Sequence, residues 1–412
     1  MPSRAAQVSD EDTAAIRPAS AGGAGVGRVV TVLMAGTFLM GTTEFLLAGL
    51  LPEIAADFHT SVARAGLTVT VFAAGMIVGA PTVSLFTLRL PRRWTLALAL
   101  GLFALGHAIA ALTGSFDVVL AARFLTGVAT GAFWSVGSAV AARVAGPAAR
   151  SRTLGLVLGG GMIANVVGVP LGAFAGQAIG WRSTFWALAG LAVVAGLAVA
   201  LAVPANRGPA TTPSLRAEFR VLLDGRFWLV LAMCGMVNGA VLSMYSYLAP
   251  MTRRAGLPDS AMPFILMAFG AAALIGSIAG GRLGDRHPYL AITLTASVSL
   301  VAAAGVAAFG AHPVALVLFF SLLGLVGLSS NPALVSLALR FGGAADTMAS
   351  AMPASTFNLG TAIGTGVTGA ALATSLGAFS PPLVAAVAAT LIFGPLAVLL
   401  ARDRRTQTRR AS

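Results

Sequence analysis

Long apolar runs alternate with short polar stretches from residue 28 to residue 401. Each run exceeds the roughly 9–11 residues of an alternating barrel strand and suits the roughly 20 residues that a helix needs to cross a bilayer. Backbone amides cannot stay unpaired in lipid, so helices are the spanning element. The pattern predicts spans near 28–51, 65–88, 95–114, 118–141, 153–177 and 183–204, then near 227–250, 261–281, 288–309, 313–338, 348–374 and 380–401. It is weakest around 340–375, where Gly and Ala dilute it. The polar stretch 205–226 (ANRGPATTPSLRAEFRVLLDGR) separates an N-terminal six-helix bundle (28–204) from a C-terminal one (227–401). Residues 1–27 lack the apolar core and cleavage site of a signal peptide and read as a disordered cytoplasmic tail. Residues 402–412 read as a basic cytoplasmic tail.

Composition strengthens the membrane reading and removes other classes. The chain is 57% hydrophobic and 9% charged, against about a quarter charged in soluble domains; its mean hydropathy is +0.90. All 26 basic residues are Arg. Without Lys there is no Walker A loop and no Schiff-base chemistry. The single Cys234 forms no intrachain disulfide, and His59, His107, His287 and His312 show no paired ligand spacing. No cofactor is expected, and no nucleic-acid partner despite the net charge of +13. The arginines sort by side of the membrane instead. With both termini cytoplasmic, 21 lie in inner connections and tails and 4 (Arg64, Arg182, Arg253, Arg254) in outer connections, with Arg123 inside a span. This is the positive-inside pattern, and it places a multi-pass protein in the inner or plasma membrane.

Six spans, a polar joint and six spans suggest a parallel repeat. Gly79–Arg93 after the second span and Gly280–Arg286 after the eighth both combine glycine with arginine. Gly281-Arg282-Leu283-Gly284-Asp285-Arg286 resembles the G-x-L-x-D-R signature of the major facilitator superfamily, and Arg123-Phe-Leu-Thr-Gly127 resembles its R-x-x-x-G element. Gly161-Met-Ile-Ala-Asn165-Val-Val-Gly168-Val-Pro170-Leu-Gly172 resembles its antiporter motif. Gly-Thr-Thr-Glu44-Phe with Leu-Pro52-Glu-Ile-Ala-Ala-Asp57 resembles the first span of its twelve-helix drug:proton antiporters, most of all actinobacterial chloramphenicol exporters and arabinose-efflux proteins. The resemblance covers about residues 28–400. It implies an all-α fold of two pseudo-symmetric six-helix bundles. One departure is that no acidic residue lies between Gly79 and Arg93, so the charge relay that the resemblance implies for that loop rests on Asp285 and Arg286 in the second half. Arg92 and Arg93 are expected to dock on helix C-terminal carbonyls.

Glu44 is the one acidic residue of 13 inside a predicted span. A charge there costs about 2.5–3.5 kcal/mol on insertion scales, which points to a group that takes up and releases protons, against the alternative of a structural carboxylate. Arg123 stays charged and is Glu44's natural partner; the resemblance gives it a role in proton coupling, whereas an arginine snorkelling to the interface is the bland reading. Arg123, Gly127 and Gly131 share one helix face. In the fifth span, Gly168, Pro170 and Gly172 allow close packing and bending. Candidates to line a substrate cavity are Met40, Phe45, Phe133, Trp134, Asn165, Asn238, Tyr245, Asn331, Phe357 and Asn358; His107 reads as a packing or interfacial histidine. Gly364-Thr-Gly366-Val-Thr-Gly369 matches a dinucleotide pattern but lies in an apolar helix without a preceding strand.

No nucleophile with its base and no metal cluster points to an enzyme. The expected function is a monomeric, proton-coupled exporter of a small organic compound, with amphenicol or multidrug efflux favoured by the resemblance. Sugar or metabolite efflux on the same fold is the alternative, and a non-transporting membrane receptor a remote one.

Overall fold

The computed structural model describes residues 23–86, 90–204, 221–342 and 346–411. Eleven helices among these are long and apolar enough to cross a membrane. They are α1 (Gly25–Gly49), α2 (Val62–Ala80), α3 (Arg92–Leu112), α4 (Phe116–Ala145), α5 (Thr153–Ile179), α6 (Trp181–Ala202), α7 (Gly225–Ser246), α8 (Asp259–Arg286), α9 (Pro288–Phe309) and α10 (Pro313–Gly342), with α12 (Gly377–Asp403). The twelfth, α11 (Asp346–Leu372), has 27 residues, but Gly, Ser, Thr and Asn dilute its apolar character. No strand occurs among the described residues. Large apolar side chains such as Leu191, Val194, Leu197 and Leu201 of α6 stay exposed on the bundle's outside, where lipid replaces the polar surface of a soluble protein.

Three sequence expectations need correction. The break expected between 141 and 153 is absent as a break in helix: helical backbone runs from Phe116 to Ile163. The chain still reverses there. Thr43, Met40 and Gly36 of α1 meet Arg123, Thr130 and Phe133 of α4 in antiparallel order, whereas Gly41, Thr42 and Leu46 meet Gly161, Gly168 and Gly172 of α5 in parallel order. Of the tail 1–27, residues from Gly23 onward are helical, the rest lying outside the described residues. Residues 402–411 continue the last helix, Phe393–Ala411, which is tied down where Asp403 accepts from Tyr289 and lies 3.7 Å from Arg226. Residues 205–220 of the linker lie outside the described residues; Val221–Leu223 forms a 3-10 turn.

Glycines let the helices interlock. A Cβ at Gly127 or Gly131 of α4 would collide with the Phe72 or Met76 carbonyl of α2, and one at Gly75 or Gly79 with the α4 backbone at Phe124 or Val128. The second half repeats the device: Gly276 and Gly280 of α8 face the Leu325 and Ser329 carbonyls of α10, and Gly324 faces that of Phe269. Small residues at such crossings bring backbones close enough for dispersion to hold helices together in lipid.

The two halves meet most fully at one end, while α5 and α8 also stay in contact further along, at Asn165–Gly270 and Met162–Ser277. Phe45 and Tyr245 pack edge-on with ring centroids 5.5 Å apart, Thr70 and Thr365 hydroxyls lie 2.9 Å apart, the Tyr247 hydroxyl lies against Gly66, and Gln177 donates to the Asp259 carbonyl at 2.9 Å. Buried apolar side chains of the N-terminal half run continuously into Tyr245, Phe269 and Phe320 there. Towards the other end, Phe227, Val230, Leu334 and Leu399 of the C-terminal half form a separate cluster.

Candidate functional site

Near the closed end, the N-terminal half buries a connected set of polar groups. Arg123 is 1% exposed and sits seven residues into α4. Its Nη1 donates to Thr43 Oγ1 at 2.9 Å, Nη2 to the Thr43 carbonyl at 3.3 Å and Nε to the Thr68 carbonyl at 3.5 Å. The guanidinium carbon stands 4.2 Å from the centre of the Phe72 ring, a geometry that suits a cation against a π face. Thr43 Oγ1 also lies 2.8 Å from Nε2 of His107, whose Nδ1 lies 2.8 Å from the Phe103 carbonyl. Phe103 and Phe185 flank the imidazole, the first tilted over it and the second edge-on.

Glu44 follows Thr43 on α1. It is half-buried and has no hydrogen bond or ion pair within 4 Å among the described residues. The expected Glu44–Arg123 pair is therefore not a contact ion pair: Thr43 takes the guanidinium, and Arg123 acts on Glu44 through space. Glu44 remains the acid within the described spans that lies away from a span's terminal residues, five positions before Gly49.

Nearer the middle of the spans each half carries a neutral polar pair, Asn238 with Asn331 in the C-terminal half and Asn165 with Trp134 about Gly161 in the N-terminal half. Asn331 donates through Nδ2 to Asn238 Oδ1 at 3.2 Å, bringing α10 and α7 together, while its own Oδ1 is buried without a partner. Asn165 sits in a π-helical turn, Ala164–Gly168, just before Pro170; such turns open the helix ladder and are frequent at functional sites. Its Nδ2 donates to the Gly161 carbonyl at 3.4 Å and its Oδ1 is buried and unpartnered. Trp134, stacked against Gly161, has an unpartnered buried Nε1. Two acceptors and one donor are thus buried without protein partners, which normally costs about 1–3 kcal/mol each.

Other predicted lining residues are placed differently. Met40, Phe133 and Tyr245 are fully buried in helix packing, against Thr130, Gly36 and the Phe269 ring respectively, because tight crossings consumed their faces. Phe357 packs on the separate C-terminal cluster, and Asn358 donates to the Ala354 carbonyl of its own helix at 3.0 Å. Phe45 is half-buried at the junction of the halves.

Among the predicted gating residues, Gly79 is a helix-crossing glycine, and Gly168 and Gly172 accommodate Thr42 and Leu46 of α1. Pro170 is buried behind the π turn. Among the described residues no helix carbonyl accepts from Arg92 or Arg93: Arg93 lies over the Trp94 ring at 5.1 Å with an unpartnered Nε, and Arg92 shares its surroundings with the like charge of Arg143. Asp285 and Arg286 are exposed at the end of α8. The four arginines expected on the outer side are engaged: Arg182 with Asp57, Arg253 with Asp259 at 3.5 Å, Arg64 over Phe116 and Arg254 over Phe379.

Thr43 does not stand out in the sequence, and His107, expected there as a packing or interfacial histidine, joins the buried polar set. A lone histidine in an apolar helix gives no spacing signal, and threonine is common in such spans.

The profile of the Major Facilitator Superfamily matches residues 33–352. The chloramphenicol resistance protein of Streptomyces lividans is 36% identical over 346 residues, covering 83% of this chain and 88% of that one. The inner membrane transport protein YdhP of Escherichia coli K12 is 29% identical over 91% and 96% of the two chains, and the putative transporter AraJ of the same strain 30% identical over 92% and 95%. Among solved structures, an inward-facing, unoccupied bacterial homologue of the human lysosomal transporter Spinster has the same fold, with a TM-score of 0.72 at 14% identity over 93% and 98% of the chains. With this architecture and these relatives, the chain belongs to the Major Facilitator Superfamily of multi-pass membrane transporters.

Proposed function

We propose that the protein is a proton-coupled antiporter of the cell membrane, with both termini cytoplasmic, that exports small, largely neutral organic compounds of the amphenicol type. The observation that carries this reading is Glu44: an acid within a span, half-buried, beside a fixed cation and without a hydrogen-bond partner among the described residues. A carboxylate locked into an ion pair holds one protonation state, whereas one left unpaired can gain and lose a proton as its surroundings change. With the outer ends of the halves in contact and their inner cores separate, the structure suits an outer-closed state in which substrate enters from the cytoplasm. Rocking of the halves then opens the other side. Glu44 releases its proton as substrate loads and regains one from outside.

Substrate would satisfy the Asn165 and Asn331 carbonyl oxygens and the Trp134 N–H. Such a site favours a neutral compound with hydroxyl or amide groups, in keeping with the name of the Streptomyces relative. The Asn238–Asn331 pair would also accept a polyhydroxylated metabolite, which is the second reading.

The test is a pH gradient imposed on proteoliposomes, to which chloramphenicol, a cationic dye and arabinose are added separately. Collapse of the gradient by chloramphenicol, lost in Glu44→Gln, is expected. Collapse by arabinose alone transfers the assignment to sugar efflux. Wild-type collapse that persists in Glu44→Gln removes Glu44 from the coupling.

A further inference from the structure

The coupling account uses Glu44 and Arg123 but leaves a fully buried titratable group, His107, without a role. Its geometry defines one. The Phe103 carbonyl only accepts, so Nδ1 of His107 carries the proton and donates to it. Nε2 is then an acceptor, and the Thr43 hydroxyl donates to it at 2.8 Å. With its single proton spent there, Thr43 Oγ1 presents its remaining lone pairs to Arg123 Nη1 at 2.9 Å. The chain has one polarity throughout: Arg123 to Thr43 to His107 to the Phe103 carbonyl. It ends on a main-chain acceptor, so it is not a proton path to either surface.

We infer that His107, acting through Thr43, is a positioning residue that fixes the Arg123 guanidinium beside Glu44 and so sets the pH range over which transport is coupled. This rests on the antiport reading of Glu44. Packing alone does not require a histidine here. Its counterpart in the C-terminal half, fifteen residues into α9 as His107 is into α3, is Ala303, equally buried. Removing the imidazole leaves the Thr43 hydroxyl proton without its acceptor and free to rotate, towards a carbonyl of its own helix or towards Arg123, so the lone pair that receives Arg123 Nη1 is no longer held in place. The groups facing His107 are limited. α1 brings Thr43 and, next along the chain, Glu44; α4 brings the charge of Arg123; α6 brings the apolar Phe185.

The test uses four variants of the full chain, with radiolabelled chloramphenicol as probe. His107→Phe keeps a ring between Phe103 and Phe185 and deletes both hydrogen bonds, and Thr43→Val deletes the hydroxyl at constant shape. His107→Gln and Thr43→Ser retain an acceptor and a hydroxyl. In a pH series of gradient-driven transport, His107→Phe and Thr43→Val are expected to move the midpoint in the same direction by about one pH unit, a tenfold change in proton affinity. Counterflow KM without a gradient stays within about twofold, and both conservative variants return the wild-type midpoint. Unchanged midpoints, or a shift in His107→Phe that Thr43→Val does not share, overturn the proposal. Should His107→Phe fail to insert, the Thr43→Val midpoint decides.

A thermal cycle tests the link without protons. The double variant is expected to lose no more in Tm than His107→Phe alone, since both remove one connection; additive losses would overturn the link. Failure of wild type to show gradient-driven transport would instead defeat the antiport reading, and that cycle would still read the Thr43–His107 connection.

Discussion

The two halves of the transporter share a scaffold and differ in what they bury at one place. Phe72 and Phe269 both lie ten residues into their span, and the side chains they meet, Arg123 and Phe320, both lie seven residues into theirs. His107 corresponds in this way to Ala303. Eight residues before Pro52 and Pro250 stand Glu44 and Leu242, with Thr43 matched by Val241. A polar cluster of Arg, Thr, Glu and His in one half is thus a set of buried apolar side chains in the other: Phe320, Val241, Leu242 and Ala303. The fold is built without the cluster in the second half, so stability does not explain its presence in the first. Burying an arginine is costly, and the cost is borne where coupling is proposed.

The most severe way to break the comparison is to make the first half like the second. Arg123→Phe is expected to insert and unfold at a Tm no lower than wild type, since a packed ring replaces a buried charge. Gradient-driven transport in proteoliposomes should fall at least about 100-fold, or about 2.7 kcal/mol of coupling-dependent barrier. The reciprocal Phe320→Arg places an unpaired charge among Tyr245 and Phe269. It is expected to destabilise the protein by about 3 kcal/mol, read as loss of Tm in detergent, with no gain of coupling.

Glycine sharpens the shared part. Gly127 and Gly324 are both eleven residues into their spans, and a Cβ on either meets the carbonyl of Phe72 or Phe269. Alanine at each site should cost a similar amount, about 1–3 kcal/mol of overpacking strain, in matched thermal unfolding; a cost at one site only would contradict the equivalence.

The smallest effect lies outside the spans, at Glu53, which corresponds to the buried Met251. Burial, with Asp259 nearby, raises the Glu53 carboxyl above its ordinary 4.5. Because the folded state then holds the proton more tightly than the unfolded one, stability falls as pH rises above 4.5 towards the folded value. Glu53→Gln removes that loss, so its Tm advantage over wild type should be absent at acid pH and grow as pH rises through this window.

Much of the architecture was legible because the bilayer simplifies it. Run length located most of the spans closely, the exception being the second, expected over 65–88 and found over Val62–Ala80, and the glycine-diluted stretch near 340–375 is the helix that falls short of a spanning composition. The continuous helical backbone across 142–152 was not legible, since polar residues there read as a loop whether or not their amides bond helically. The charged residues of the site stood out because a membrane makes charge conspicuous. Their partners did not. Thr43 and His107 gain meaning from three helices converging, and Met40 and Phe133 lose their cavity position because Gly36 and Thr130 draw them into crossings. The Asn238–Asn331 contact joins residues 93 positions apart, a pairing that no local spacing encodes.

The most direct test of the central claim is proton release on substrate binding, measured with purified protein in weakly buffered detergent solution. Addition of chloramphenicol to wild type should release up to about one proton per molecule, the linkage expected when substrate binding and protonation of one group are opposed. Glu44→Gln should bind the compound and release none. Equal release from Glu44→Gln would contradict the account, because the exchanged proton would then come from another group.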